Sequence, residues 1–130
     1  MQGVRSFRDV IVWQRAMELC TAVYDLTRGF PREEIYGLSS QMRRAAVSIA
    51  SNIAEGHGRG TTLHLMQFLR MARGSSFEVQ TQIQLARNVS YGSLASLDIC
   101  DGLCDEIGRM LNATLRSLKA KYAAEHVIKP

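Results

Sequence analysis

Proline is nearly absent from this sequence, with two in 130 residues. With ten glycines beside them, that excludes collagen-like and linker-rich chains. Cysteine is scarce and odd in number, at three, so no disulfide framework is expected. No apolar run approaches the roughly 18 residues that a membrane span needs; the best, Ala45–Ala50, is interrupted by Ser48. The opening MQGVRSFRDV lacks the apolar stretch of a signal peptide. A cytoplasmic chain without membrane contact is the expectation. Aromatics make up only 7% and most fall at positions that read as core, so single-strand recognition by base stacking is not expected. Only three of the 16 basic residues are lysine. The three histidines, His57, His64 and His126, are scattered, and neither HExxH nor a phosphate-cradling glycine loop with its lysine occurs.

What is present fits one folded domain spanning residues 1–130: 46% hydrophobic and 22% charged residues, with a net charge of +4. No strand-like alternation and no repeat appears. Instead, four amphipathic segments predict helices over about residues 9–28, 39–55, 62–89 and 94–123. Asp9 is a candidate cap for the first, Thr61 or Thr62 for the third and Ser93 for the fourth. Gly29-Phe30-Pro31 and the GHGRG run at 56–60 read as breaks, and PREEIYGL between the first two helices as a single helical turn. The first helix carries one stripe of Trp13, Ala16, Cys20 and Val23 and a second of Val12, Leu19 and Leu26, which reads as wide core or as a partner surface. The third repeats its apolar residues in heptad rhythm from Leu65 to Ala86. Gly74 in its middle costs about 1 kcal/mol against alanine, and a close crossing over Ala46, Ala50 and Ala54 of the second helix would explain it. The fold class that follows is all-α, an antiparallel up-down-up-down four-helix bundle.

Polar residues recur inside these apolar patterns. Gln41, Arg44, Ser48, Asn52 and Glu55 form one stripe on the second helix, and Glu78 belongs to a similar stripe on the third. If buried, they need partners. Arg44 or Arg43 with Glu78 is the economical ion pair, and the stripe would fix the register of helices or subunits; the alternative is that it faces water. In the fourth helix, acids occupy the first half, and Arg109, Arg116, Lys119 and Lys121 the second. That order complements the macrodipole by itself. Cys100 and Cys104 share a helix face and could supply half a zinc site, or simply fill core. His57 and His64 could approach across the 56–60 loop with Glu55, but no Glu-x-x-His pair of a di-iron bundle appears. No catalytic residue, metal site or cofactor is expected, and the chain reads as non-enzymatic.

The string QMRRAAVSIASNIAEGHGR, preceded by Trp13-Gln14-Arg15-Ala16 and FPREEIYGL and followed by FLRMARGSSFEVQTQIQLA, resembles the four helix bundle family, also called the 23S rRNA-intervening sequence protein or S23 family. The resemblance runs from about Phe7 through Leu118, with EIGRMLN and RSLKA matching in the fourth helix. Gly92 departs from it, standing where a bulky apolar residue is common, and Leu94, Leu97 and Cys100 occupy a stretch that is often acidic. The resemblance implies a left-handed bundle assembled as a homopentamer around a channel. Some members are encoded within large-subunit ribosomal RNA genes. Related accessory proteins of diversity-generating retroelements serve beside a reverse transcriptase and bind nucleic acid through a basic pentamer surface.

Two functions compete. One is an oligomeric module that binds RNA or DNA through its phosphates, without sequence preference, using Arg43, Arg59, Arg70, Arg73, Arg87, Arg109, Arg116, Lys119 and Lys121. The other is an adaptor that recruits a polymerase or RNA-processing enzyme through the acids of the fourth helix and the Leu94–Leu97 region, without touching nucleic acid.

Overall fold

A computed structural model describes residues 6–127. Four helices carry the chain: α1 (Ile11–Arg28), α2 (Leu38–Gly58), α3 (Thr62–Asn88) and α4 (Leu94–Glu125). No strand occurs among the described residues. Each helix packs on the two beside it in a ring, α1 on α2, α2 on α3, α3 on α4 and α4 on α1, and among the described residues the backbones of diagonal helices do not approach each other. Contacts between helices run antiparallel: Arg15 reaches Glu106, Ser48 reaches Ser75, and Arg87 reaches Asp98.

The buried stripes follow the expected periodicity. Leu69, Ala72, Ser76, Val79, Ile83 and Ala86 of α3 and Leu97, Cys100, Cys104, Ile107, Leu111 and Leu115 of α4 all point inward. Both stripes of α1 are core: Val12, Leu19 and Leu26 are as buried as Ala16, Cys20 and Val23. The second stripe is therefore not a partner surface; a helix flanked by two neighbours buries a broad arc.

Helix ends depart from expectation at two places. Asp9 does not cap α1. It closes a short 3-10 turn, Phe7–Asp9, whose cap is Ser6, and α1 begins after Val10 with no side-chain cap. Next, α2 runs on through Gly56 and His57 to Gly58. Gly56 is a contact residue: a Cβ there would lie 2.9 Å from Phe68 Cβ. Absence of a side chain lets α2 and α3 approach where they turn back on each other. Gly74 plays no such part, since a Cβ there would meet nothing within 4 Å and the residue is exposed. The Ala50 and Ala54 flank instead lines a groove toward α1. Thr61 and Ser93 cap α3 and α4, accepting from the backbone amides of His64 and Ser96. Arg32–Glu34 forms the expected short turn.

No helix among the described residues is long and apolar enough to cross a membrane.

Candidate nucleic-acid interface

The α3/α4 seam has a fixed register. Arg87 donates to Asp98 at 2.7 Å, Gln80 to Asp105 at 3.0 Å, and Arg73 to Asn112 at 3.0 Å. Its electrostatics change along its length. Toward the 89–93 turn, Arg87 is held between Asp98 and Asp101, the latter at 3.5 Å. The hydrogen bond to Asp98 raises the Arg87 pKa further above its ordinary value. Toward the opposite end, Arg70, Arg73, Arg116 and Lys119 line one recess of about 320 Å³ with Asn112 and Leu115. No carboxylate lines that recess. Among the described residues none of its four cations makes an ion pair. Arg109 stands on the outer face of α4 two turns before Arg116, exposed.

Complementing the helix dipole explains only part of this cluster. Arg116 and Lys119 sit in the second half of α4, where cations are favoured. Arg70 and Arg73 sit near the middle of α3, beyond the terminal turns in which the dipole acts, so it does not account for them. Four like charges around a recess repel one another until an anion enters.

The other sequence candidates are elsewhere. Arg43 lies on the α1/α2 seam, its Nε donating to Thr27 Oγ1 at 2.8 Å and its guanidinium 4.6 Å from the Tyr24 ring centre. Arg59 pairs with Glu55 at 2.8 Å and sits 5.0 Å from the Phe68 ring centre. Lys121 stands 4.0 Å from Glu125. Arg43, Arg59, Arg87 and Lys121 each meet a partner within the fold, and of the nine basic candidates the structure brings Arg70, Arg73, Arg116 and Lys119 together, with Arg109 two turns before Arg116.

The polar stripe lies on the outer α2/α3 seam. Gln41, Arg44, Ser48 and Glu78 line a recess there of about 390 Å³. Ser48 and Ser75 hydroxyls are 2.9 Å apart, and Asn52 Nδ2 donates to the Ser48 carbonyl at 2.9 Å and to its hydroxyl at 3.1 Å. The expected Arg44–Glu78 ion pair does not form. Both side chains are exposed and water keeps them apart at low cost, while Arg43 projects from the other flank of α2 and Glu55 turns to Arg59.

Cys20, Cys100 and Cys104 are buried free thiols. Burial pushes them up to about 11, about 11 and about 12. They are neutral at ordinary pH and poor metal ligands or nucleophiles. His64 Nδ1 lies 2.7 Å from Thr61 Oγ1. Burial lowers the His57 pKa. No group of three metal-ligating side chains is found among the described residues.

Three residues escaped sequence reasoning: Asn112, Tyr36 and Phe77. Asn112, at the centre of the basic recess, resembles any polar position on an amphipathic helix until its hydrogen bond to Arg73 is seen. The aromatics were expected mostly in the core, yet of nine only Phe30 is fully buried, while Tyr36 and Phe77 are 96% and 56% exposed.

The sequence model of the family described as "23S rRNA-intervening sequence protein" matches residues 8–113. A crystal structure of a protein of unknown function from the S23 ribosomal protein family of Bacteroides thetaiotaomicron VPI-5482 superposes with a TM-score of 0.76 at 19% identity, covering 84% of this chain and 98% of that one. At that identity the likeness speaks for the fold. No curated protein matches.

Proposed function

The chain belongs to the 23S rRNA-intervening sequence protein family, and from that premise we propose that it is a non-enzymatic, oligomeric bundle that binds the phosphate backbone of RNA or DNA at the α3/α4 recess. One observation carries this function: Arg70, Arg73, Arg116 and Lys119 converge on a recess that no carboxylate lines. Guanidinium groups suit phosphate because their planar fork donates two hydrogen bonds to one anion. Asn112 accepts from Arg73 Nη1 and holds that fork in place. Backbone contacts of this kind position a nucleic acid without reading its bases. Assembly would strengthen the effect: five copies at +4 each carry about +20.

Filter binding at rising salt tests the proposal. Retention of RNA or DNA at about 50 mM salt, lost steeply toward about 200 mM, is the expected result. Arg73→Ala with Arg116→Ala should abolish retention at the lower salt, and Arg87→Ala should not. No retention of either polymer at about 50 mM salt would exclude the function.

A second function rests on a different observation. At the start of α4, Leu94 and Ile99 are 71% and 58% exposed beside Asp98, although Leu97, expected in the same patch, is core. This is the surface a protein-recruiting adaptor would use. Co-purification of one stable protein partner, lost on Leu94→Ser and unaffected at the basic recess, would favour it.

A further inference from the structure

Phe77 is a large aromatic residue that the fold leaves exposed. It sits on the α4-facing flank of α3, one turn beyond Arg73 and two beyond Arg70, at steps of three and four residues. Its ring is 56% exposed. The seam register pairs residue 73 with 112, 80 with 105 and 87 with 98, which places residue 108 across from Phe77. That residue is Gly108, and a Cβ built on it would meet nothing within 4 Å. Gly108 itself presents no side chain at that level of the seam. Arg109 follows immediately, exposed on the outer face. Along the seam, the order is thus a four-cation recess, then the exposed Phe77 at the level of Gly108, then Gln80 with Asp105, then the ion-paired Arg87.

We propose that the nucleic acid bound by this chain is single-stranded, with a backbone phosphate seated in the Arg70–Arg73–Arg116–Lys119 recess and the adjoining unpaired base stacked on Phe77 over Gly108. This deepens the backbone-binding function above and rests on it. A rise of one helical turn, about 5.4 Å, separates Arg73 from Phe77, and successive phosphates or bases of an extended strand are spaced on the same scale. A duplex offers phosphates to the recess but keeps its bases stacked within the helix, so it gains nothing from the ring. An unpaired base presents a π-face to any aromatic, which makes the contact tolerant of sequence. The stripe of cations beside an aromatic is the combination that single-strand grooves use, and α3 and α4 supply both parts from a rigid seam.

The test is fluorescence anisotropy at about 50 mM salt with three labelled probes: a 20-nucleotide oligo-dT, a 20-nucleotide oligo-rU and a 20-base-pair DNA duplex. The two homopolymers separate DNA from RNA and form little structure of their own. The intact protein should bind single strands more tightly than duplex. Phe77→Ala, an exposed change that leaves the core intact, should weaken single-strand binding about tenfold and duplex binding less than twofold, and Phe77→Trp should restore it. Equal losses on single strand and duplex, or no loss on single strand, would overturn the inference while leaving the basic recess as a backbone site. Failure of the intact protein to bind any probe would remove both. Sedimentation of Phe77→Ala separates one more case: a changed mass with an unchanged preference between single strand and duplex makes Phe77 a contact between copies, and the inference falls.

Discussion

A methyl group added at Gly92 would come within 2.5 Å of Leu26 Cδ1, on a backbone whose φ is +77°. Only glycine adopts that conformation without strain, and α4 enters the bundle through it. The departure from the bulky residue common at this position thus belongs to a turn that packs directly against α1. Gly92→Ala is expected to cost about 1–3 kcal/mol in urea unfolding. Gly74→Ala, in open space within a helix, should stabilise by about 1 kcal/mol in the same assay. Equal effects of the two would contradict the described backbone. The buried thiols provide a second measurement at this scale. Cys104 titrates near 12 in the folded chain against an ordinary 9.0, and Cys100 near 11. Between those values the unfolded chain has released its protons and the folded chain has not. Stability is therefore full below about pH 9 and declines as pH rises through 11 to 12. Unfolding midpoints across that range should fall, and fall less for Cys104→Ala after correction for its lost packing. All three thiols should react with a thiol reagent only as fast as the protein opens. Gln82 presents the reverse case, a buried carbonyl oxygen without a partner among the described residues. An orphan acceptor costs about 1–3 kcal/mol, so Gln82→Leu should leave stability unchanged or raise it.

At the level of elements, caps and charge order act locally. Ser93→Ala removes the acceptor for the Ser96 amide and should lower stability by about 1 kcal/mol in urea melts. Arg87 is expected to behave differently from the recess arginines despite lying on the same flank of the same helix. Its partner Asp98 is largely exposed and Asp101 is half-buried, so Arg87→Ala should change stability by under about 1 kcal/mol, less at high salt. The same contacts remove its charge from any polyanion. Helix position alone does not separate Arg87 from Arg73; the residues of α4 across the seam do.

For the whole molecule, charge and assembly are coupled. One phosphate seated among the four cations of each recess predicts that the logarithm of single-strand affinity falls with the logarithm of salt at a slope near −0.7 for each copy that a strand engages. Arg87→Ala, which removes a charge already paired with Asp98, should leave that slope unchanged. Fluorescence titrations at four or more salt concentrations measure both. The proposed pentamer would sediment at about 72 kDa, from chains of 14.5 kDa. A species that stays at one chain's mass in dilute buffer would remove the pentamer and with it the multiplied charge.

Helix number, order and inward faces were legible in the sequence because they depend on local periodicity. Leu69, Val79 and Ile83 repeat at spacings that leave one face of a helix apolar, and such a face must be buried wherever the helix docks. Caps at Thr61 and Ser93 were legible for the same reason, since a cap involves only its own first turn. Relations across seams were not legible. Arg43 and Arg44 are adjacent in sequence but project from opposite flanks of α2, so one packs on Tyr24 and the other lines a recess with Glu78. Gly56 and Gly74 have the same composition and opposite surroundings, and Phe77 reads as one more apolar residue until Gly108 is found across from it. The amino-acid sequence by itself determined the excess of arginine, the four amphipathic helices, because these follow from spacing within about one helical turn, and their up-down order, because the links between them are short. Only the tertiary structure decided which arginines are neutralised and which converge, because that depends on the register of two helices whose contacting residues lie 11 to 39 positions apart in the chain.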